Sequence, residues 1–191
     1  YEDSKGEMWI GTHDGMYHFD RVSGEFTQYK ESVSAQDAEI NDISVIYEDL
    51  HGNLWVGSEA GGISRFDPTR GRFTRFTHNP DDPQSLSNNR VRSIIQDHLG
   101  NFWVGTQNGL NLVPAEDFPP SGKALQFLHY GNDPYDPESL GSSVVWSIFE
   151  DLSGVMWFGT WGGGLSKYNR STDRFKLYQH DPNRPGSLSD N

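Results

Sequence analysis

The stretch EDLSGVMWFGTWGGGLSKYN, residues 150–169, decides how this chain is organised. Its glycines could form a loop that holds a phosphate or a sugar, or they could form the turns of a scaffold. Three other stretches share its pattern: EDSKGEMWIGTHDGMYHFD from Glu2, EDLHGNLWVGSEAGGISRFD from Glu48 and QDHLGNFWVGTQNGLNLV from Gln96. A phosphate loop depends on the N-terminus of a following helix, and no helical pattern follows any of the four copies. The glycines are therefore interpreted as turns of a repeated scaffold.

The repeat period indicates the architecture. The tryptophans Trp9, Trp55, Trp103 and Trp157 lie 46, 48 and 54 residues apart, and an insertion at residues 113–124 lengthens the last interval. A period of this length is typical of propellers and solenoids. The chain contains no sustained 3.6-residue apolar period, which argues against helical repeats.

Each copy is predicted to form four short strands joined by turns. An apolar run such as DISVIYED precedes the acidic turn, and runs such as MWFGT, GLSKYN and FKLYQ follow it. The turn carboxylate is predicted to accept backbone N–H bonds, and the glycine three positions later is expected to adopt a positive φ. The turn carboxylates are Asp3, Asp49, Asp97 and Asp151.

The composition fits all-β units that pack through aromatic rings. Only 34% of the 191 residues are hydrophobic, yet 13% are aromatic, including six Trp. Burying one Trp hides roughly 150–250 Å², which contributes on the order of 4–6 kcal/mol before conformational entropy is subtracted. The recurring Trp is therefore predicted to be a packing wedge between four-stranded antiparallel meanders arranged radially, as in a β-propeller.

Charge and composition exclude several classes of partner. Asp and Glu number 27 against 15 Lys and Arg, a net charge of −12, which argues against nucleic acid and anionic membrane surfaces. No run approaches the roughly 20 apolar residues of a membrane-spanning helix, so no direct membrane insertion of this segment is expected. Cysteine is absent, which excludes disulfides and thiolate metal sites and leaves the redox compartment open. No targeting signal is recognisable at the start of the sequence.

The run D-x-x-G-x-x-W-x-G-[TS], together with connectors such as HNPDDPQSLSNN and HDPNRPGSLSDN, resembles the two-component regulator propeller repeat over essentially the whole chain. In that family such repeats form large periplasmic sensor propellers, attached through a β-sandwich module and a membrane helix to histidine kinases, hybrid regulators or diguanylate cyclases. The resemblance implies a non-catalytic, periplasmic, ligand-binding sensor module of a bacterial receptor. It also implies that signalling proceeds through a change in propeller association.

Four repeats are expected within one β-propeller repeat domain. Their approximate bounds are 1–41, 42–89, 90–143 and 144–191, and the first repeat is expected to lack most of its inner strand. Intact sensors of the family carry many more repeats than four. The chain is therefore expected to form a partial ring of a larger propeller, or a ring completed by a partner chain as a homodimer that associates through open blade edges.

A candidate binding site emerges from positions that differ among the copies. Scaffold positions should repeat, whereas a residue recruited for binding need not. At the start of the innermost strand, Ser44, Arg92 and Trp146 are equivalent, and so are Asp42, Arg90 and Val144. At the turn between the second and third strands the equivalent residues are His13, Glu59, Gln107 and Trp161. These positions are expected to converge at the mouth of the central channel, where Trp faces can stack on sugar rings and Arg can bind carboxylate or hydroxyl groups. The predicted ligand-binding residues are Arg90, Arg92, Trp146, Trp161, Asp42, Glu59 and His13.

Structural interpretations of the same residues stay open. Arg90 and Arg92 could simply be paired at a strand end, and Trp146 and Trp161 could pack on each other. The acidic connector NPDDPQS lacks the ligand spacing of a calcium loop, so Asx-turn and proline-set backbone roles are favoured there. The seven His show no metal-binding spacing, and no cofactor, metal or catalytic residue is predicted.

Two further function classes remain as alternatives. The D-x-x-G-x-x-W turn resembles the aspartate box of sialidase propellers, and G-x-x-W resembles streptogramin-type lyases, so a propeller enzyme acting on glycans or a lyase is the first alternative. A protein-interaction scaffold is the second. The expected ligand of the favoured sensor is a small molecule, with an oligosaccharide as the leading candidate.

Overall fold

The computed structural model describes residues 1–31, 41–118 and 125–191. These residues contain fifteen strands, which fall into four sheets. Sheet 1 comprises β1 (Met8–Thr12), β2 (Gly15–Phe19) and β3 (Phe26–Tyr29). Sheet 2 comprises β4 (Ile43–Glu48), β5 (Leu54–Ser58), β6 (Ile63–Asp67) and β7 (Arg72–Phe76). Sheet 3 comprises β8 (Val91–Gln96), β9 (Phe102–Thr106), β10 (Gly109–Val113) and β11 (Leu128–Tyr130). Sheet 4 comprises β12 (Val145–Glu150), β13 (Met156–Thr160), β14 (Gly164–Asn169) and β15 (Arg174–Tyr178).

Every sheet is an antiparallel meander in which neighbours in sequence are neighbours in space. Sheets 2, 3 and 4 have four strands, and sheet 1 has three. In place of an inner strand, sheet 1 has an isolated bridge between Glu2 and Met8. The predicted all-β architecture of four-stranded meanders is confirmed.

The sheets stack side by side through their innermost strands. The first strand of sheet 3 packs against the first strands of sheets 2 and 4, and β1 packs against β4. This is the radial order predicted from the repeat. In the described residues, no helix is long and apolar enough to cross a membrane.

The acidic turn has the same geometry in every sheet. Asp97 Oδ1 accepts hydrogen bonds from the backbone N–H groups of Leu99 and Asn101 at 3.0 and 2.9 Å. Its Oδ2 accepts a bond from Trp103 Nε1 at 2.9 Å, and the corresponding distances in the other three sheets are 2.7–2.9 Å. Gly100 has a φ of 90°, which only glycine adopts easily. The turn therefore holds the wedge tryptophan by its indole N–H, a contact that the sequence interpretation did not include.

The tryptophans pack between sheets, as predicted. Trp55 is 1% exposed and contacts Phe102 of sheet 3 with ring centroids 4.9 Å apart. Trp103 is fully buried and contacts Phe158 and Tyr168 of sheet 4, both at 5.3 Å. Each core cluster therefore contains residues of more than one sheet, so each sheet buries its apolar side chains against a neighbour.

The connectors between sheets are small folded loops. In residues 78–89, Ser85 Oγ accepts a bond from Asn79 N at 2.8 Å and Asp82 Oδ1 accepts one from Gln84 N at 3.0 Å. Asp133 N donates to Ser139 Oγ in the second connector, and Asp181 N donates to Ser187 Oγ in the third, at 3.0 and 2.9 Å. The Asx-turn role predicted for NPDDPQS is confirmed by the bond from Gln84 N to Asp82.

Strand β11 is shorter than the sequence pattern suggested. The run LQFLHY, residues 125–130, is the counterpart of FKLYQ and by that pattern a whole strand, but only Leu128–Tyr130 pair with β10. Leu125 and Phe127 are buried in the core instead, and Phe127 N donates to Gln84 O of the preceding connector at 2.8 Å. Part of the predicted insertion, residues 119–124, lies outside the described residues.

Candidate functional site

One end of the sheet stack gathers the starts of the inner strands and the turns between second and third strands. The backbone N–H of Glu59 donates to Asp42 O at 3.0 Å, and that of Gln107 donates to Arg90 O at 2.9 Å. Trp161 N donates to Val144 O at 2.9 Å in the same way. The repeated bond fixes each turn beside the start of its own inner strand, so the two sets of variable residues predicted to meet do lie together.

A β-bulge occurs at the same point in all three inner strands. The pairing register shifts between Ile43 and Val45 in β4, and equivalent shifts occur in β8 and β12. The residues left between the paired positions are Ser44, Arg92 and Trp146. A bulge re-aims the side chain it carries and increases the local twist. The bulges therefore present three different side chains at one mouth.

The polar part of the site is a chain of ion pairs. His13 Nδ1 lies 2.8 Å from Asp42 Oδ1. Glu59 pairs with Arg90, whose Nε lies 3.1 Å from Glu59 Oε2, and with Arg92 through its other oxygen. The Glu59 carboxylate faces the Arg90 and Arg92 guanidinium groups, and the Asp42 carboxylate faces the His13 imidazole. Opposite charges therefore neutralise each other along most of this chain of ion pairs.

The hydrogen bond to Asp42 raises the pKa of His13 above its ordinary value, and the negative charges of Asp42 and Glu59 act in the same direction. His13 itself is exposed. Protonated His13 therefore adds a positive charge beside Asp42 at mildly acidic pH.

The aromatic part of the site continues the same chain of contacts. The Arg92 guanidinium lies over the Trp146 ring, 4.8 Å from its centroid. The rings of Trp146 and Trp161 are 5.4 Å apart and inclined at 39°. Trp146 is 49% exposed and Trp161 is 68% exposed. Two neighbouring tryptophan rings in contact with water are an unusual arrangement for a side chain that usually buries most of its ring.

The seven residues predicted as ligand-binding thus form one continuous row across the four sheets, here called the mouth row. The contacts expected from the two structural interpretations are also observed. Arg90 and Arg92 are paired with Glu59, and the rings of Trp146 and Trp161 touch. The members of the mouth row, in order, are His13, Asp42, Glu59, Arg90, Arg92, Trp146 and Trp161.

The bulge itself was missed from the sequence, although a signal for it exists. The buried residues Val91, Ile94 and Gln96 of β8 are spaced by three and then by two positions. A regular strand would space them by two throughout. The extra residue in that interval marks the bulge and singles out Arg92.

Two cavities lie away from the mouth row. A cavity of about 470 Å³ on sheet 4 is lined by Ser153, Lys167 and Lys176 among others, and one of about 340 Å³ lies between connectors beside His78 and His129. Within residues 1–31, 41–118 and 125–191, no three His, Asp or Glu side chains gather as a metal site would require.

The repeated meanders, the wedge tryptophans and the shared mouth define this chain as a set of β-propeller blades. Residues 85–108 and 139–162 match the family described as the two component regulator propeller. The chain carries two-component regulator propeller repeats.

The proteins that this chain is similar to are larger than the chain. Histidine kinase P4 of Formosa agariphila is 34% identical over 129 residues, which is 67% of this chain and 9% of the relative. The extracellular domain of BT3049 from B. thetaiotaomicron, a protein assigned to the hybrid two component systems, is 26% identical. Its TM-score is 0.75, and the match covers 94% of this chain and 24% of the solved structure. The chain thus spans about a tenth of one relative and about a quarter of the other.

A propeller enzyme shares the fold. Virginiamycin B lyase from Staphylococcus aureus superposes with a TM-score of 0.65 at 16% identity, over 95% of this chain and 55% of the lyase. At that identity the likeness concerns the blade architecture alone.

Proposed function

We propose that this chain is a non-catalytic, ligand-binding part of the extracellular or periplasmic sensor region of a membrane-anchored two-component receptor. The family match and the similarity to histidine kinase P4 and to the extracellular domain of BT3049 support the sensor assignment. The mouth row supports the ligand-binding assignment.

The observation that carries the proposal is the exposed indole of Trp161. Its ring contacts the ring of Trp146 at an inclination of 39°. Trp146 is the bulge residue of β12, and the Arg92 guanidinium lies over its ring. Arg92 and Trp146 are thereby held in place before any ligand binds. A ligand that stacks on Trp161 therefore meets a prearranged surface and orders few side chains on binding.

The charges of the mouth row favour a neutral, hydroxyl-rich ligand, with an oligosaccharide as the leading candidate. An acidic sugar would have to compete with Glu59, which already occupies Arg90 and Arg92. A neutral sugar can stack its apolar face on an indole while its hydroxyl groups bond to the carboxylates and guanidinium groups. The Glu59 carboxylate therefore acts as the specificity element of the proposed site.

The acidic side chains repeated in the turns support a non-catalytic role. Asp49, Asp97 and Asp151 direct both carboxylate oxygens at their own turn and tryptophan, so these groups serve the scaffold. Signal transfer then requires only that the ligand bind one arrangement of paired propellers better than another, since a ligand shifts an equilibrium by its difference in affinity between the two states.

The test is calorimetric titration with a panel of neutral oligosaccharides of glucose, mannose and xylose, alongside an oligogalacturonate of matched length. We expect a neutral oligosaccharide to bind and to be recovered unchanged by mass spectrometry. Trp161→Ala should weaken binding about tenfold or more, which corresponds to roughly 1.4 kcal/mol. Glu59→Gln should raise the affinity for the oligogalacturonate relative to the neutral sugar.

The matched control is Tyr135→Ala, which removes an exposed aromatic ring from a connector outside the mouth row. Its affinity should equal that of the unaltered chain. Turnover of the bound sugar would overturn the non-catalytic assignment. Equal affinities for Trp161→Ala and the unaltered chain would remove the mouth row as the binding site.

A further inference from the structure

The cavity of about 340 Å³ lies at the end of sheet 3 where β9 turns into β10. One wall is formed by the connector that enters sheet 3, residues 78–89, and another by the connector that leaves it, residues 131–143. The inner strand β8 packs against β4 of sheet 2 and against β12 of sheet 4. Sheet 3 therefore has a packed neighbour on either side, and the cavity is not one of the outer faces of the stack.

Two imidazole rings line this cavity, and each is held by a backbone carbonyl of the same connector. His78 Nδ1 lies 2.8 Å from Leu86 O, and His129 Nε2 lies 2.8 Å from Ser85 O. A carbonyl oxygen can only accept, so each of these two nitrogens carries the hydrogen. The second nitrogen of each neutral ring, Nε2 of His78 and Nδ1 of His129, is therefore an acceptor that has no partner among the described residues.

Other polar groups of the lining are acceptors as well. Asp82 Oδ1 accepts the bond from Gln84 N at 3.0 Å, and its Oδ2 has no hydrogen bond within the part of the chain that the structure describes. Thr106 Oγ1 donates its hydrogen to Gly109 O at 2.8 Å. The Ser87 hydroxyl, 3.1 Å from Thr106 Oγ1, must then be the donor of that pair and keeps only lone pairs for a ligand.

The charge and size of the cavity define the kind of molecule that fits it. Of the described residues that line it, none is Lys or Arg, and Asp82 supplies a carboxylate. The net charge of −12 on the chain also favours a cation. Pro80 and Pro83 add apolar surface. Since ligand cavities are typically roughly 300–1,000 Å³, this one suits a molecule of monosaccharide size that carries hydrogen-bond donors and a positive charge.

The position of His129 differs in every sheet, as expected of a residue recruited for binding. The equivalent register positions of the outer strands hold Gln28 in sheet 1, Arg75 in sheet 2 and Leu177 in sheet 4. Arg75 is already bonded to Glu31, with Nε 3.1 Å from Oε1, and Leu177 has no polar side-chain atom. Among the four described sheets, the pair of free imidazole nitrogens is therefore a feature of sheet 3.

We propose that this cavity is a second ligand site, which binds a small amino sugar through its ammonium group. The ammonium group pairs with Asp82, and hydroxyl groups of the sugar donate to the free nitrogens of His78 and His129. The C–H face of the sugar ring packs on Pro80 and Pro83. The site is separate from the mouth row and does not depend on the function proposed for it, because the two ligands differ in charge.

An NMR titration with three matched sugars tests this inference: glucose, 6-amino-6-deoxyglucose and the N-acetyl derivative of the latter. It is run at pH 8, where an ordinary imidazole is neutral and an alkylammonium group is charged. The amino sugar should bind about tenfold or more tightly than either neutral sugar, because hydrogen bonds to charged groups are the stronger ones. The amide resonances of Asn108 and Gly109, which line the cavity, should shift on binding.

Two conservative variants remove the binding groups while keeping the connector folded. Asp82→Asn removes the charge and retains an oxygen for Gln84 N, so the affinity for the amino sugar should fall to that for glucose. His78→Asn removes the free ring nitrogen and should weaken binding of the amino sugar about fivefold. The connector tolerates this change, since Asn132 makes the equivalent bond to Leu140 O at 2.8 Å in the next connector.

The matched controls carry the same substitutions outside the cavity. His180→Asn changes a ring that makes the equivalent bond to Leu188 O at 2.7 Å, and Asp81→Asn removes a neighbouring carboxylate that does not line the cavity. Both should bind the amino sugar like the unaltered chain, and so should Trp161→Ala, which alters the mouth row alone. Equal affinities for the three sugars overturn the proposal, as does an Asp82→Asn variant that binds the amino sugar normally. Loss of binding in Trp161→Ala would assign the amino sugar to the mouth row and overturn the second site.

Discussion

Asp97 shows how much a single carboxylate does in this molecule. One oxygen receives two backbone N–H groups, and the other receives the Trp103 indole and the Arg170 guanidinium of the next sheet. Burial alone would raise the pKa of Asp97, but the hydrogen bonds from Trp103, Asn101 and Arg170 outweigh burial and lower it. The carboxylate therefore stays ionised while it accepts bonds from the turn backbone, from the Trp103 indole and from the Arg170 guanidinium of the next sheet.

Removing this carboxylate should be costly. Asp97→Ala leaves the buried Trp103 indole N–H without its acceptor and takes from the half-buried Arg170 guanidinium one of its two carboxylate partners. We therefore expect a loss of about 1–3 kcal/mol in the free energy of unfolding. Asp151→Ala removes the same turn contacts without an interblade arginine and should lower stability less. Urea denaturation followed by tryptophan fluorescence measures both, and equal losses would contradict the role given to Arg170.

At the scale of the strands, the glycine after each wedge tryptophan sets how closely neighbouring sheets approach. A Cβ at Gly57 would lie 2.6 Å from Val91 Cγ1 of the next sheet and 2.7 Å from Val45 Cγ1. A real Cβ essentially never approaches another atom so closely. The repeated W-x-G therefore encodes both the wedge and the gap that receives the next inner strand.

Gly57→Ala tests this packing. The added methyl must push β4 and β8 apart, and we expect about 1–3 kcal/mol of destabilisation, typical of overpacking. The control is Gly186→Ala, because a Cβ at Gly186 meets no atom within 4 Å. Thermal unfolding by circular dichroism should show a lower midpoint for the first variant and an unchanged one for the second.

At the scale of the whole molecule, the repeated acidic turn makes stability depend on pH. Burial alone would raise the pKa of Asp3 as it would that of Asp97, but hydrogen bonds from Trp9 and backbone N–H groups outweigh burial and lower it. Hydrogen bonds from Ser153 and Trp157 likewise lower the pKa of Asp151. Three of the four sheets thus contain a turn carboxylate that is easier to ionise in the folded chain than in the unfolded chain.

The sign of the effect follows from this difference. A group with a lowered native pKa stabilises the fold above its unfolded pKa, and that contribution disappears as the pH falls through the native pKa. We therefore expect the urea midpoint to fall steeply below about pH 4. Asp97→Asn cannot titrate at this position and should show a shallower fall, and an equal slope would contradict the role of Asp97.

The extent of prediction differs between the fold and the mouth row. The copies of D-x-x-G-x-x-W-x-G were enough to predict the meanders, the turn aspartates and the wedge tryptophans, because each depends on local spacing and on one buried ring. The convergence of Arg92 with Trp146 followed from the repeat alignment. The bulge under them was not predicted, since it depends on the register between two strands and changes only one interval in the apolar pattern.

The sequence by itself determined the four units, their order and the scaffold role of the glycines in residues 150–169, because periodic spacing constrains local structure. Only the tertiary structure decided which groups meet across the joints, such as Arg170 with Asp97 and Glu59 with two arginines. Those partners lie about 30 to 70 residues apart in the sequence. Local propensity carries no information about such pairs, because they are set by how closely the packed sheets approach one another. Trp161 is the clearest case: its difference from the other copies was visible in the sequence, but its contact with Trp146 and its open ring face are results of the stacking.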